Sequence, residues 1–362
     1  MSWEDGVRVV RLPSFRAPQS RLLPRMWESF SFGRSACDWL AREFRDVDVV
    51  YANTKPLLSQ AVIARHCKRN QIPLVWHIKD LYPESIQGKL SRWTYDMVSP
   101  PLVALDRWIV HQALQTVVLS DGWRRVYLDS RRLPADRVTT ILDWVDEKGF
   151  EHLPARAQAC SKYGVAEDRF TFLYLGNIGP VAGVEFLIEA FHAAKLPRAQ
   201  LVIAGDGSAK AGCVAMAKRL GVARVQFVSD PSAANVSLLQ SLGHVCLLPL
   251  RKGAGLSSIP SKLMAYLLSA KPVLATLDEG SDTARCVREA ECGWVGEPEQ
   301  IAWLAERMRA VSVMPAEELT AMGERGRAFG LRHFSKAAGV QRLAGIVLSA
   351  AGRSPVIQHL KV

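Results

Sequence analysis

Several chemistries are missing from this 362-residue chain. Its seven cysteines form no CxxC pair, and their odd number argues against a closed disulfide framework. They read as free thiols of a reducing compartment. The eight histidines show no HxxxH or comparable ligand spacing, so no protein-held metal is expected. GxSxG, GxxxxGK[ST] and paired carboxylates at a recognisable spacing are absent, which removes the common activated-nucleophile and P-loop designs. No cofactor is expected either. The dinucleotide fingerprint G-x-G-x-x-G is missing, since Gly205-x-Gly207 lacks the third glycine. No apolar run approaches the ~20 residues that span a bilayer. The opening MSWEDGVRVV lacks the basic-then-apolar layout of a signal peptide. Zinc-finger spacing, an aromatic RNA-binding signature and a long basic run are also absent, so nucleic acid is not an expected partner.

What is present is apolar and basic. Hydrophobic residues make up 49% of the chain, enough for a folded globular protein of about two domains. A formal charge of +11 calls for a polyanionic neighbour, either an anionic membrane or a phosphorylated substrate. A dispersed basic surface also serves solubility alone.

The most informative stretch is 171–276. It opens TFLYLGNIGPVAGVEFLIEAF, an apolar run, a glycine-rich turn (Gly176, Gly179, Gly183) and then apolar residues at helical spacing (Val184, Leu187, Ile188, Phe191). The same grammar returns at LVIAGDGSAKAGCVAMAKRL and at VCLLPL…SSIPSKLMAYLL. Short β-branched runs alternating with helices predict a parallel sheet covered on both faces, in an α/β fold. Ligands bind such sheets beyond the carboxyl ends of the strands. The Gly176 turn, the Gly205-Asp206-Gly207 turn and the 257–262 loop fall on that edge, where helix N-termini favour phosphate.

The N-terminal half repeats the alternation less regularly. VRVVRLP (7–13) reads as a strand, 36–44 as a helix, 47–51 as a strand, 53–56 as a turn and 57–67 as a helix. PLVWH (73–77) reads as a buried strand, which puts His77 and Asp80 on its ligand edge. His77 reads equally as a satisfied structural histidine, and Glu84 as a turn cap. In 21–34, arginines bracket Leu22, Leu23, Met26, Trp27, Phe30 and Phe32, a pattern suited to a membrane interface or to an ordinary core helix. Arg21, Arg25 and Trp27 carry the interfacial reading. The aromatic region 90–113 is a second interfacial candidate, and Pro100-Pro101 is expected to split it into two helices. Further strands are expected at 116–120 and 138–142, a domain boundary in 147–169, a last helix over 336–351 and a loose tail from 352.

Five motifs in order carry a resemblance: GNIG…GVEFLIEAF, AGDG, SIPSK…AKPVLA, ECGWV and RGRAF…HFS. Together they resemble the nucleotide-sugar domain of family 4 retaining glycosyltransferases, in the branch that builds bacterial surface polysaccharides on a lipid carrier. The resemblance covers 172–335 and, more weakly, 48–150. It implies a GT-B fold of two Rossmann-like domains. Residues 1–150 would form the acceptor side, 151–335 the nucleotide-sugar side, and 336–362 a helix returning to the first domain plus a tail. It implies transfer from a nucleotide-diphosphate sugar, a UDP-sugar by this resemblance, to a lipid-linked saccharide with retention, and no protein nucleophile. The protein would work at the cytoplasmic face of an anionic membrane, as a peripheral partner.

Within that resemblance Lys262 is the leading contact for the diphosphate, with Ser258 and Ser261 as hydroxyl donors; Ser261 also reads as a plain helix cap. Gly176 and Asn177 let backbone approach the phosphates, Gly179 shapes the turn, and Gly205 and Asp206 follow on the next strand. His77 and Asp80 would lie near the transferred sugar or the acceptor. Three departures stand out. Apolar or small residues around Ile178 and Ala182 replace the usual Arg and Lys of the first turn, and Ser257 and Ala265 occupy the places of two glutamates. The first strand and glycine-rich loop of the family are not found, which implies either a start assigned too far downstream or a reduced variant with an unpaired sheet edge. These departures leave an alternative: a non-catalytic or truncated GT-B protein that binds nucleotide-sugar or a protein partner without turnover. A nucleotide-sugar epimerase shares the architecture, but its set of carboxylates and a histidine cannot be assembled here.

Overall fold

The computed structural model describes residues 2–4, 6–16, 22–43, 47–53, 57–89, 91–222, 224–230, 235–254 and 259–353, the side chains of 22, 23, 25 and 87–89 excepted. The chain divides into two compact units, Met1–Ile141 with Gln341–Val362, and Leu142–Val340.

The first unit opens with an antiparallel hairpin, β1 (Ser2–Glu4) and β2 (Val7–Val9), turning at Gly6. The strand expected over 7–13 is therefore shorter. It ends at Val9 because that residue already pairs with Ser2, the first residue of its partner. A single helix α1 (Leu22–Glu43) replaces the two segments read from the sequence. It crosses α2 (Leu57–Arg69) closely: a Cβ on Gly33 would lie 2.8 Å from the Ser59 Cα, and Ser29 Oγ accepts from the Ser59 amide at 2.9 Å. The parallel sheet runs β3 (Val50–Asn53), β4 (Leu74–His77), β5 (Gln115–Val118), β6 (Val138–Thr140), in that spatial order. Its helices α3 (Arg92–Val110) and α4 (Asp121–Asp129) start at Ser91 and Ser120, whose hydroxyls accept from Thr94 N and Trp123 N. The expectation for Pro100-Pro101 fails, because α3 continues through both. Proline's fixed φ is already helical, and Leu102, Leu105 and Ile109 pack the second half of the helix into the core. The residues of the 53–56 turn after Asn53 lie outside the described set.

The second unit is a doubly wound α/β layer structure: α5 (Arg156–Tyr163), β7 (Phe170–Leu175), α6 (Val184–Ala194), β8 (Ala199–Ala204), α7 (Lys210–Arg219), β9 (Val225–Val228), α8 (Val236–Ser241), β10 (Val245–Pro249), α9 (Ser261–Leu268), β11 (Val273–Thr276), α10 (Asp282–Glu289), β12 (Gly293–Gly296), α11 (Ile301–Val311), α12 (Ala316–Phe334) and α13 (Lys336–Ala350). All strands are parallel, in the order β12-β11-β10-β7-β8-β9. The near-continuous apolar runs follow from burial on both faces: Leu173, Val202 and Cys246 face one core, and Phe172, Leu201 and Leu247 face the other. The chain winds outward from β7 to β9, then returns to β10 and winds the other way. β7 and β10 therefore flank the topological switch point, the place in such sheets where a ligand crevice opens. Of α13, the portion from Gln341 belongs with the first unit.

Candidate functional site

The turns after β7 and β8 are zipped together. Gly176 N donates to Ala204 O at 2.9 Å, Ile178 N to Asp206 O at 2.8 Å, and Ala209 N to Ile178 O at 3.0 Å. Backbone approaches this close exclude side chains. Gly176 (φ +147°) and Gly205 (φ +144°) lie where only glycine is relaxed, and a Cβ on Gly205 would overlap the Gly176 carbonyl.

Lys262, the second residue of α9, lays its side chain over Gly176, so that a Cβ there would overlap Lys262 Cε. Its Nζ donates to Tyr174 Oη at 2.5 Å, and Tyr174 Oη donates to the Asn177 carbonyl at 2.6 Å. Among the described residues Lys262 has no carboxylate partner. Burial alone pulls its ammonium down to about 8. A half-buried cation in the first turn of an α-helix, beside a glycine turn, is arranged to receive an anion. Tyr266, fully buried on α9, braces the same strand end: its hydroxyl accepts from Leu175 N at 2.9 Å and donates to Leu175 O at 3.1 Å.

The structure thus brings Gly176, Asn177, Gly179, Gly205, Asp206 and Lys262 to one edge. Asn177 is exposed and Gly179 is buried against its amide. Asp206 is exposed and tied to Lys210 at 2.7 Å, which holds its carboxyl below the usual carboxylate range. Lys210 also donates to Ser229. Ser261 is exposed as the first residue of α9, and Pro260 rather than Ser261 occupies the cap position. Ser258 lies outside the described residues. Across the switch point, Arg251 after β10 donates its Nε to Pro180 O at 2.7 Å and pairs with Glu185, while Gly253 N donates to the Asp278 carboxylate at 2.9 Å. Sequence reasoning missed Tyr174, Tyr266 and Arg251. Tyrosines in otherwise apolar runs were the available signal, since a buried phenol needs a polar partner.

In the first unit His77 ends β4 fully buried, with Nδ1 2.6 Å from Tyr51 Oη. Asp80 is exposed three residues on. Glu84 is held by Arg131 at 2.6 and 2.7 Å, a partly buried ion pair rather than a turn cap. Trp27 is exposed (57%) and stacks on Phe30. Arg21 and the Arg25 side chain lie outside the described residues. No helix among the described residues is long and apolar enough to cross a membrane.

Two family models match the chain, one described as "Glycosyl transferase 4-like domain" over residues 1–144 and one as "Glycosyl transferases group 1" over residues 156–329. A Pseudomonas aeruginosa protein named as glycosyltransferase WbjE is 23% identical over 93% of this chain and 82% of its own. An Escherichia coli K12 protein named as colanic acid biosynthesis glycosyl transferase WcaI is 25% identical over 88% of this chain and 80% of its own. Among solved structures, Anabaena HepE in complex with UDP superposes with a TM-score of 0.71 at 17% identity, over 86% of this chain and 82% of its own. HepE has also been solved with UDP-glucose, at a TM-score of 0.65. The two parallel-sheet α/β units are those of the GT-B fold, and both halves of the chain are glycosyltransferase domains, 4-like at the N-terminus and group 1 at the C-terminus.

Proposed function

We propose that this glycosyltransferase moves a sugar from a uridine-diphosphate donor to a lipid-linked saccharide, with retention at the anomeric carbon. The observation that carries the reading is Lys262, a half-buried ammonium without a carboxylate partner among the described residues, set over the Gly176 turn at the switch point. As the anomeric carbon–oxygen bond breaks, its electron pair goes to the departing diphosphate, and a fixed cation there stabilises the developing charge. Lys262 takes that role. Gly176, Asn177, Gly179 and Gly205 let backbone close on the phosphates, Ser258 and Ser261 add hydroxyls, and Asp206 completes the edge. The binding of UDP and UDP-glucose by HepE supports the choice of nucleotide.

Residues 1–150 act on the acceptor side, with His77 and Asp80 as the catalytic candidates near the transferred sugar or the acceptor, and 151–335 hold the donor. An anionic membrane is the proposed location, with Arg21, Arg25 and Trp27 at the interface. The net charge of +11 supports it, as does α3, whose exposed side is lined by Trp93, Met97, Pro100, Pro101, Ala104 and Trp108. Calorimetric titration with UDP, and with ADP and GDP as controls, tests the donor site. Selective UDP binding that disappears in Lys262→Ala is expected. Equal binding by wild type and variant would overturn the role of Lys262, and no binding of any nucleotide would overturn the donor reading.

A further inference from the structure

The loop that leaves β4 is gripped by one buried cation. Arg131, two residues past α4, is completely buried. Its Nε donates to Asp106 Oδ2 on α3 at 2.8 Å. Its Nη1 and Nη2 reach Glu84 Oε1 and Oε2 at 2.6 and 2.7 Å, and Nη2 also donates to the Tyr82 carbonyl at 2.9 Å. Nη1 further donates to Ser130 Oγ at 3.0 Å. The guanidinium lies 5.6 Å from the ring centroid of Tyr127, whose hydroxyl bonds Asp106. One planar fork therefore joins three segments: α3, the end of α4, and the 82–84 turn.

Stability alone does not account for such an arrangement. Removing Arg131 and Asp106 from water, and Glu84 in part, costs much of what their attraction returns, and well-packed apolar side chains hold a core at least as firmly. What a fork adds is direction. Two parallel bonds to Glu84 and a third to a backbone carbonyl leave the loop one orientation. That loop begins after His77 and carries Asp80, four residues before Glu84 and two before Tyr82.

We propose that Arg131 is a positioning residue for sugar transfer: through Glu84 and the Tyr82 carbonyl it holds the 78–84 loop so that Asp80 stands where the acceptor arrives. The proposal rests on the assignment of Asp80 to the acceptor side. Arg131 itself touches no substrate, and its effect is on the loop.

The test compares wild type, Glu84→Gln and Ile109→Val. The first keeps size but turns an amide toward the fork. The second removes one methylene from the same core on α3, away from the loop. Deuterium uptake is read on peptides covering 78–89, and turnover as UDP release from UDP-glucose in the presence of a detergent extract of bacterial membranes. Glu84→Gln is expected to speed exchange in 78–89 by about tenfold and to lower kcat by about tenfold, with KM for UDP-glucose and the Kd of UDP held within about twofold. Ile109→Val lowers the melting temperature without either effect. Unchanged exchange in Glu84→Gln, faster exchange with unchanged kcat, or the same losses in Ile109→Val would each overturn the proposal. A wild-type chain that binds UDP yet releases none from UDP-glucose leaves exchange to decide the clamp. A wild-type chain that binds no UDP overturns the donor reading instead, and the clamp is again judged on exchange.

Discussion

Lys262 Nζ stands 2.5 Å from Tyr174 Oη, and that hydroxyl donates its own hydrogen bond to the Asn177 carbonyl at 2.6 Å. The ammonium is thus oriented by a neutral acceptor and not neutralised by an acid. Among the described residues its remaining N–H groups have no other hydrogen-bond partner, which leaves them for an incoming anion.

That arrangement costs stability. Burial lowers the Lys262 pKa from 10.5 to about 8, so the folded state disfavours the charged form. Below pH 8 the lysine is charged in both folded and unfolded chains and the full penalty applies; it fades as pH rises toward 10.5. Lys262→Met keeps the packing and removes the charge, and at pH 7 it should raise stability by about 1–3 kcal/mol. The gain should shrink above pH 8. Chemical denaturation at pH 7 and pH 10 checks this. A variant less stable than wild type at pH 7 would show that the Tyr174 bond outweighs desolvation.

The same group sets a pH dependence for UDP binding. A diphosphate favours the ammonium, so above the free-protein pKa each binding event must take up a proton. Affinity should hold steady up to about pH 8 and then fall, by up to about tenfold per pH unit. Titrations in buffers of different ionisation enthalpy would register the proton uptake directly. Lys262→Met should bind weakly and without this slope.

Gly205 is the position where the zipped turns tolerate least. Its φ of +144° and the Gly176 carbonyl beneath it leave no room for a methyl group. Gly205→Ala should cost about 2–4 kcal/mol and weaken UDP binding together with stability, because the Gly176 turn must move. Gly212, on α7, would meet nothing within 4 Å and is the control. Thermal unfolding of the pair is expected to show a loss of stability confined to Gly205→Ala, with Gly212→Ala unchanged or slightly stabilised.

Much of this was legible in the chain before its coordinates. Strand-turn-helix units at 171–276 announce themselves because burial on both faces imposes apolar runs and the turns need glycine, both local demands. The placement of Lys262 beside the glycine turn was legible for the same reason, as it lies in the first turn of its own helix. What holds it in place was not. Tyr174 and Tyr266 act on partners 88 and 91 residues away, and no local pattern encodes that meeting. Arg131 is equally silent in sequence, an arginine among others after α4, until folding buries it between Asp106 and Glu84. Pro100-Pro101 misled for a third reason. Proline's cost inside a helix is local, whereas the packing of Leu102, Leu105 and Ile109 that overrides it is tertiary.

The exposed side of α3 carries the last prediction. Trp93 (74% exposed), Met97 (57%) and Trp108 (37%) recur at steps of one helical turn or its multiples, with Pro100, Pro101 and Ala104 between them. Solvent-facing helix sides are ordinarily charged, and here the nearest charges, Arg92 and Asp96, sit to one side, 3.9 Å apart. An uncharged stripe ending in tryptophans matches the acyl–headgroup boundary, where the indole ring is apolar and its N–H is wet. Burying Trp93 and Met97 there is worth about 1.5–3 kcal/mol each. Trp93→Ser with Met97→Ser should therefore cut co-sedimentation with phosphatidylglycerol vesicles by at least about tenfold, while UDP affinity stays that of wild type. Raising salt separates the contributions: the charge-driven share falls with screening and the apolar share does not. Full retention of vesicle binding in the double variant would move the membrane contact away from α3 and onto the segment that carries Trp27.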